Sequence, residues 1–244
     1  MSEKKDETKP EEATQNLPVN VEQQIKKQLE AQRGQLGALP TNKIALKDKN
    51  FTLPDGQSSP GPIELIVLDF AWNMVHYPGA YNSNNPQQPD CFAIGREKPD
   101  SGQLVAHETV KKPYGKTCSD KNCPKNEWKS AITGGGKACK NQRKLIVVPP
   151  NFDEETEAMS MFVSPQGLKN FDAYVSRLKA EHGILPVQAV TEVSFDTAQS
   201  YPLLKFKFIE RNPRVNDAWA FREQCQEMLF RPIELKEGAA KKAA

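Results

Sequence analysis

Four of the five cysteines, Cys91, Cys118, Cys123 and Cys139, lie within residues 91–139, with 26, 4 and 15 residues between successive ones. Zinc takes four soft ligands in a tetrahedron, and structural sites commonly combine a close pair with more distant partners. Cys118-Ser-Asp-Lys-Asn-Cys123 supplies the pair, and Gly134-Gly-Gly136 just before Cys139 permits a tight turn back towards a metal. Nearby lysines would lower the thiol pKa values and favour the binding thiolate. A four-thiolate zinc is closed and structural, whereas a catalytic zinc keeps one position open for water. The competing readings are four ordinary cysteines in a loop and a set of redox-active thiols. Cys225 falls on an apolar helical face and reads as core. His107 is an alternative ligand; His76 and His182 have no motif around them.

Charge gathers where the cysteines are. The chain's net charge is only +2, but Lys111–Lys144 holds ten basic and two acidic residues, a net +8. The basic residues offered to phosphate are Lys112, Lys116, Lys125, Lys137, Lys140, Arg143 and Lys144. Aromatic residues are interleaved, and Trp128, Trp72 and Tyr77 are candidates for stacking on bases. Trp128 has a second possible role, covering the zinc site.

Catalytic constellations fail at named residues. Gly134-Gly-Gly-Lys137 resembles a phosphate loop, but Ala138 replaces Ser/Thr and Ala131 stands at the first glycine. The zinc-deaminase pattern H-x-E is broken, because Glu108 follows His107 directly. Glu154-Glu155 sits in a polar stretch and reads as a solvated loop. The expectation is a protein without catalysis.

The elements that must position this cluster follow from pattern. Residues 1–20 are Lys/Glu/Thr/Pro-rich and read as a disordered tail; residues 21–41 form a marginal helix and linker, and 234–244 a Lys/Ala-rich tail. Between them, 42–233 reads as one domain with a zinc-binding insertion at 89–143. Asn42–Phe51 reads as a strand followed by the turn Leu53-Pro-Asp-Gly56. Ile63–Phe70 reads as a strand reaching towards Tyr77, and Cys91–Gly95 and Lys144–Val148 as further strands. Asn82–Pro89 reads as a polar loop. Ser164-Pro165 opens a helix with Leu168, Phe171, Val175 and Leu178 on one face, closed by Gly183. Pro186–Phe195 and the alternating Leu204, Phe206 and Phe208 are strands, and Asp217 caps a last helix. That order predicts a β-rich α+β fold, an OB-like five-stranded barrel with a zinc-stapled loop and flanking helices.

Mean hydropathy is −0.67. No run approaches the ~20 apolar residues a membrane span needs, and Met1-Ser-Glu-Lys-Lys-Asp6 lacks a secretory apolar core. The expectation is a cytoplasmic protein with reduced thiols and no membrane partner.

Pro89-Asp-Cys91-Phe-Ala, Cys123-Pro-Lys-Asn126-Glu-Trp128-Lys-Ser130 and Gly136-Lys-Ala-Cys139-Lys-Asn resemble a family of tailed-phage proteins described as single-stranded DNA-binding proteins. Its motif runs CP-N-x-G-S…GKGKAC. Ser164-Pro165, Val190-Thr191 and Tyr201-Pro202-Leu-Leu-Lys-Phe206 are similar too, so the likeness covers about residues 50–230. Lys129 departs from it, standing where the motif has glycine, and the close pair is C-x4-C rather than C-x2-C. The resemblance implies zinc on Cys91, Cys118, Cys123 and Cys139 and a role in phage DNA replication or recombination in the host cytoplasm. The implied partner is single-stranded DNA, with RNA left open, besides replication or recombination proteins. The plan is also similar to the single-strand binder of large tailed phages, in which a zinc subdomain interrupts an OB-fold. Two rival readings stand beside it: a zinc-stabilised module binding a host enzyme, and a nuclease with unrecognised carboxylates.

Overall fold

A computed structural model describes residues 42–79, 88–132 and 134–231, all within the compact unit Pro40–Ala244. The tails, the 21–41 helix and most of the Asn82–Pro89 loop lie outside the described residues.

The expected first strand is a hairpin. Strands β1 (Ala45–Lys47) and β2 (Asn50–Thr52) are joined by Asp48-Lys49, both at positive φ (50° and 57°). Two consecutive left-handed residues make the turn that matches strand twist. The Leu53–Gly56 turn then leads to β3 (Ser58–Ser59), which completes a small three-stranded sheet.

The main sheet is built on β4 (Ile63–His76), longer than its apolar run suggested. It also holds β5 (Cys91–Gly95), β6 (Lys140–Val148), β7 (Met159–Val163), β8 (Ala189–Phe195) and β9 (Leu204–Arg211). All its pairings are antiparallel, in the order β7-β6-β4-β8-β9. One edge of β4 pairs with β6; the other meets β8 at Ile63–Leu65 and β5 at Trp72–His76. Among the described residues β7 and β9 do not pair, so the six-stranded sheet stays open rather than closing as the expected barrel. The protein is a strand-rich α+β fold. Strand β7 escaped the sequence reading, although Met159-Ser-Met-Phe-Val163 is a short apolar run ended by Ser164-Pro165.

Both faces of the sheet are covered. On one, Leu65, Val67, Leu145 and Val193 pack with Phe171 and Tyr174 of α1 (Leu168–Arg177) and with Phe51 of the hairpin. On the other, Ile66, Leu68, Ile146 and Val148 meet Ala218 of α2 (Val215–Gln224) and Leu229 of α3 (Gln226–Phe230). Two-sided burial is why β4 reads as a continuous apolar run rather than an alternation. A bulge between Val67 and Asp69 shifts the phase, so Val67 and Phe70 face the same cluster.

Helix α1 follows the expected plan in part. Pro165 opens a 3-10 turn, a π turn spans Leu178–His182, and Gly183 (φ 65°) ends it. Ser164, however, makes no side-chain cap bond, and Leu168 packs beside Met74 rather than with Phe171, Val175 and Leu178. The last helix departs from expectation. It starts at Val215 and breaks at Cys225, so Asp217 lies in its first turn, taking a 3.0 Å bond from Arg214 Nε instead of capping backbone N–H groups. Cys225 is buried in the second core, as its apolar face implied.

Candidate metal centre and basic surface

The strands bring the first and last cysteines together. Cys91 opens β5 opposite His76 at the end of β4, and Cys139 immediately precedes β6. Cys118 and Cys123 arrive on the irregular chain between them. All four sulfur residues line one enclosed cavity of about 10 Å³, with Met74, Asn126 and Lys125 also in its wall. None is in a disulfide. Among the described residues no three His, Cys, Asp or Glu side chains already stand in closed coordinating geometry.

The surrounding chain is organised by backbone bonds aimed at these positions. Cys118 N donates to Leu104 O (2.8 Å), Cys123 N to Ser119 O (3.0 Å) and Cys139 N to Lys125 O (2.7 Å). Fully buried Asn126 donates from Nδ2 to Cys118 O at 2.9 Å. A backbone N–H from Tyr114 reaches the Cys91 sulfur. Gly115 is required here, because an added Cβ would stand 2.1 Å from Asn122 O. Lys129 sits at φ 69°, a region where glycine is favoured, which accounts physically for the glycine of the resembled motif.

The thiol electrostatics reverse the expectation from sequence. Burial, then the neighbouring Cys91 and Cys123, push the Cys118 thiol up to about 12, and burial with the other three cysteines raises Cys139 as well. Burial also raises Cys91. Two influences pull the other way, the Tyr114 backbone N–H on Cys91 and Lys137 on Cys139. Most of the loop lysines turn towards solvent, only Lys125 lying in the cavity wall, so desolvation and mutual repulsion win. Without a cation at their centre, burial and repulsion favour the neutral thiol form at Cys91, Cys118 and Cys139. Four thiols round one cavity are the donor chemistry of a structural zinc site, although among the described residues they do not stand as a group that could already hold an ion.

His107 is not in the cavity wall. Its ring stacks on Phe92 and its Nδ1 lies 2.9 Å from Thr109 Oγ1. His76, set aside in the sequence reading, does line the cavity, and its Nδ1 lies 2.6 Å from Asp90 Oδ1. Tyr114 Oη donates to the other Asp90 oxygen at 2.6 Å. No spacing rule joins His76, Asp90 and Tyr114; the β4–β5 register does.

The ten basic residues divide three ways. Lys111, Lys112, Lys116, Lys121, Lys129 and Lys140 are exposed, and Lys125 and Lys137 are half-buried. Arg143 and Lys144 are buried, at 7% and 5% exposure, which removes both from the expected phosphate set. Arg143 lies 3.8 Å over the Trp72 ring and pairs with Asp172 at 3.2 Å. Lys144 donates to Met228 O (2.6 Å) and Arg231 O (2.8 Å), fastening the end of α3 to the sheet. Trp72, beneath Arg143, is buried and offers no face to a base. Arg143 and Lys144 misled because a strand following a basic loop reads as more basic surface, while the helices that cover them are distant in sequence. Trp72 misled because Arg143 reaches it only through strand pairing.

Trp128 is 70% exposed and outside the cavity wall, so of its two expected roles the structure leaves the ring free. Ile132 is 89% exposed in the same loop. Tyr77 is half-buried, with Lys140 Nζ 5.6 Å from its ring. A second site went unseen in the sequence: Asp69, on the bulge, is buried and gripped by both guanidinium nitrogens of Arg96 (2.9 and 2.7 Å), by Arg222 and by Gln226. Those hydrogen bonds and Arg222 hold its carboxyl below the ordinary range, overcoming burial, the largest single influence, which acts upward. The network ties the bulge to α2 and α3.

No protein-family model matches this chain, and neither does any curated protein or solved structure.

Proposed function

We propose that the protein is a non-enzymatic single-stranded nucleic-acid-binding protein, its basic loop held in shape by one zinc ion on Cys91, Cys118, Cys123 and Cys139. The observation that carries this reading is the coincidence of two features in one segment. Four thiols surround a single cavity, and the chain between them turns exposed lysines and the open Trp128 ring outward. The phosphate contacts are assigned to Lys112, Lys116, Lys125, Lys137 and Lys140. The zinc shapes the loop and performs no chemistry. On this reading the open antiparallel sheet serves as an OB-like scaffold for the insertion, and the protein acts in phage DNA replication or recombination in the host cytoplasm, a role that the resemblance supports.

The test is a titration of labelled oligo(dT) against a duplex of equal length at two salt concentrations. Tighter binding of the single strand is expected, with log affinity falling by ~0.7 per phosphate neutralised for each unit of log salt. Replacing Lys137 and Lys140 together by Ala weakens binding and flattens that slope by roughly one unit. Equal binding of both nucleic acids, or none, moves the assignment to the protein-interaction reading, which the exposed Trp128 and Ile132 also suit.

A further inference from the structure

The sheet beside the metal centre carries a second surface. Directly paired residues of antiparallel strands point to the same side. The register therefore places Phe92 of β5, Asn73 of β4, Lys140 and Gln142 of β6 and Phe162 of β7 on one face. Tyr77, two residues beyond Val75, continues that face just past the end of β4. Helix α3 reaches this side at Lys144, through the bonds to Met228 O and Arg231 O. Towards the start of β6 the face is half open: Tyr77, Gln142 and Phe162 are half-buried and Lys140 is exposed. Half-buried Phe92 already stacks on His107 at 5.0 Å and offers a base only what that ring leaves uncovered.

Two aromatic rings here carry a cation. Lys140 Nζ lies 5.6 Å from the Tyr77 centroid and Lys43 Nζ 4.9 Å from that of Phe162. Asn73 is 1% exposed; its Nδ2 donates to Gln142 at 3.3 Å, and its Oδ1 has no partner among the described residues. An enclosed acceptor without a donor is costly and suits a site completed by a ligand donor.

We propose that this face of β5-β4-β6-β7 is the base-stacking platform for the single strand whose phosphates the cysteine loop attracts, an inference that rests on the function proposed above. Four strands from β5 to β7 span about 14 Å at ~4.8 Å per step, enough for a short strand to cross. Aromatic rings on an open sheet take unpaired bases and exclude duplex, whose bases are already stacked. Lys140 and Lys43 carry positive charge beside the rings, matching a phosphate backbone, and an incoming base displaces each ammonium from its ring onto a phosphate.

The test uses the full chain. Phe92→Leu, Phe162→Leu and Tyr77→Leu keep apolar bulk but remove the ring. Each is expected to weaken oligo(dT) binding roughly 5- to 150-fold without altering the salt slope, because no charge is lost. In parallel, oligo(dT) carrying 5-iododeoxyuridine is photocrosslinked to the wild-type protein, which does not depend on the variants folding. Crosslinks at Tyr77, Phe92 or Phe162 support the platform. Crosslinks confined to residues 111–132, or three leucine variants that bind like wild type, overturn it while leaving single-strand binding standing. A wild-type protein that ignores oligo(dT) but binds an acidic peptide overturns both.

Discussion

The sheet and the cysteine loop lie side by side and are held together by different physics. Around β4, β6 and β8 the chain buries large apolar side chains on both faces: Ile66, Leu145, Val147, Met161 and Phe171 are all fully enclosed. Among the described residues between Gly95 and Cys139 the only regular element is the 3-10 turn Pro99–Ser101. There the buried groups are Pro99, Leu104, Ser119, Asn126, Cys123 and Cys139, and order comes from turns and from backbone bonds such as Cys118 N to Leu104 O and Cys139 N to Lys125 O. Apolar burial stabilises at ~25 cal/mol per Å² with or without a metal ion in solution. On the function proposed above, the cysteine loop draws its stability from binding a cation. One region is thus stable by composition and the other on condition.

Metal removal should separate the two regions most sharply. The purified protein is expected to hold about one zinc per chain, and Cys123→Ser to lose it. Hydrogen exchange should then show protection lost across 96–139 while β4, β6 and β8 keep theirs; uniform loss would mean the two regions fold as one unit. Cys225→Ser, in the other core, should leave zinc content unchanged.

The reverse perturbation is Phe171→Ala. Its ring packs edge-on to Phe70 (5.1 Å) and Phe206 (5.2 Å) in the first core. A loss of about 3–5 kcal/mol is expected in denaturant unfolding, equal with and without chelator. A chelator-dependent loss would couple this core to the metal.

Lys144 tests how firmly α3 is held to the sheet. Burial, then Arg231, pulls its ammonium down to about 8, below the unfolded value near 10.5. Between these values the unfolded chain binds more protons, so this group makes the unfolding free energy rise as pH climbs from about 8 to 10.5. Lys144→Met should remove that rise relative to wild type, since groups common to both cancel. Parallel pH profiles would show that the ammonium is not buried in solution.

The smallest effect belongs to Lys129. A left-handed non-glycine residue costs roughly 1–2 kcal/mol, and glycine returns about 0.4–1 of that as unfolded-chain entropy. Lys129→Gly should therefore stabilise the loop by at most about 1 kcal/mol, read as slower zinc loss to chelator. Faster loss would mean that the lysine side chain itself supports the site.

The sequence alone determined what is local or periodic. Cysteine spacing selected the four residues that do meet at one cavity, because a thiol cluster needs only chain reach and turns. Ser164-Pro165 and Gly183 bounded the helical segment, and the alternation at Leu204–Phe208 identified β9, since dihedral preference and one-sided burial leave their period in the chain. Tertiary structure decided everything that depends on which surfaces are covered. Arg143 and Lys144 read as exposed cations until α1 and α3 folded over them, and the thiols read as acidic until burial raised them. Strand β7, the Asp69 bulge network and the open edge between β7 and β9 are products of pairing between segments far apart in sequence. Desolvation belongs to the neighbours a residue acquires, and no residue's own type records it.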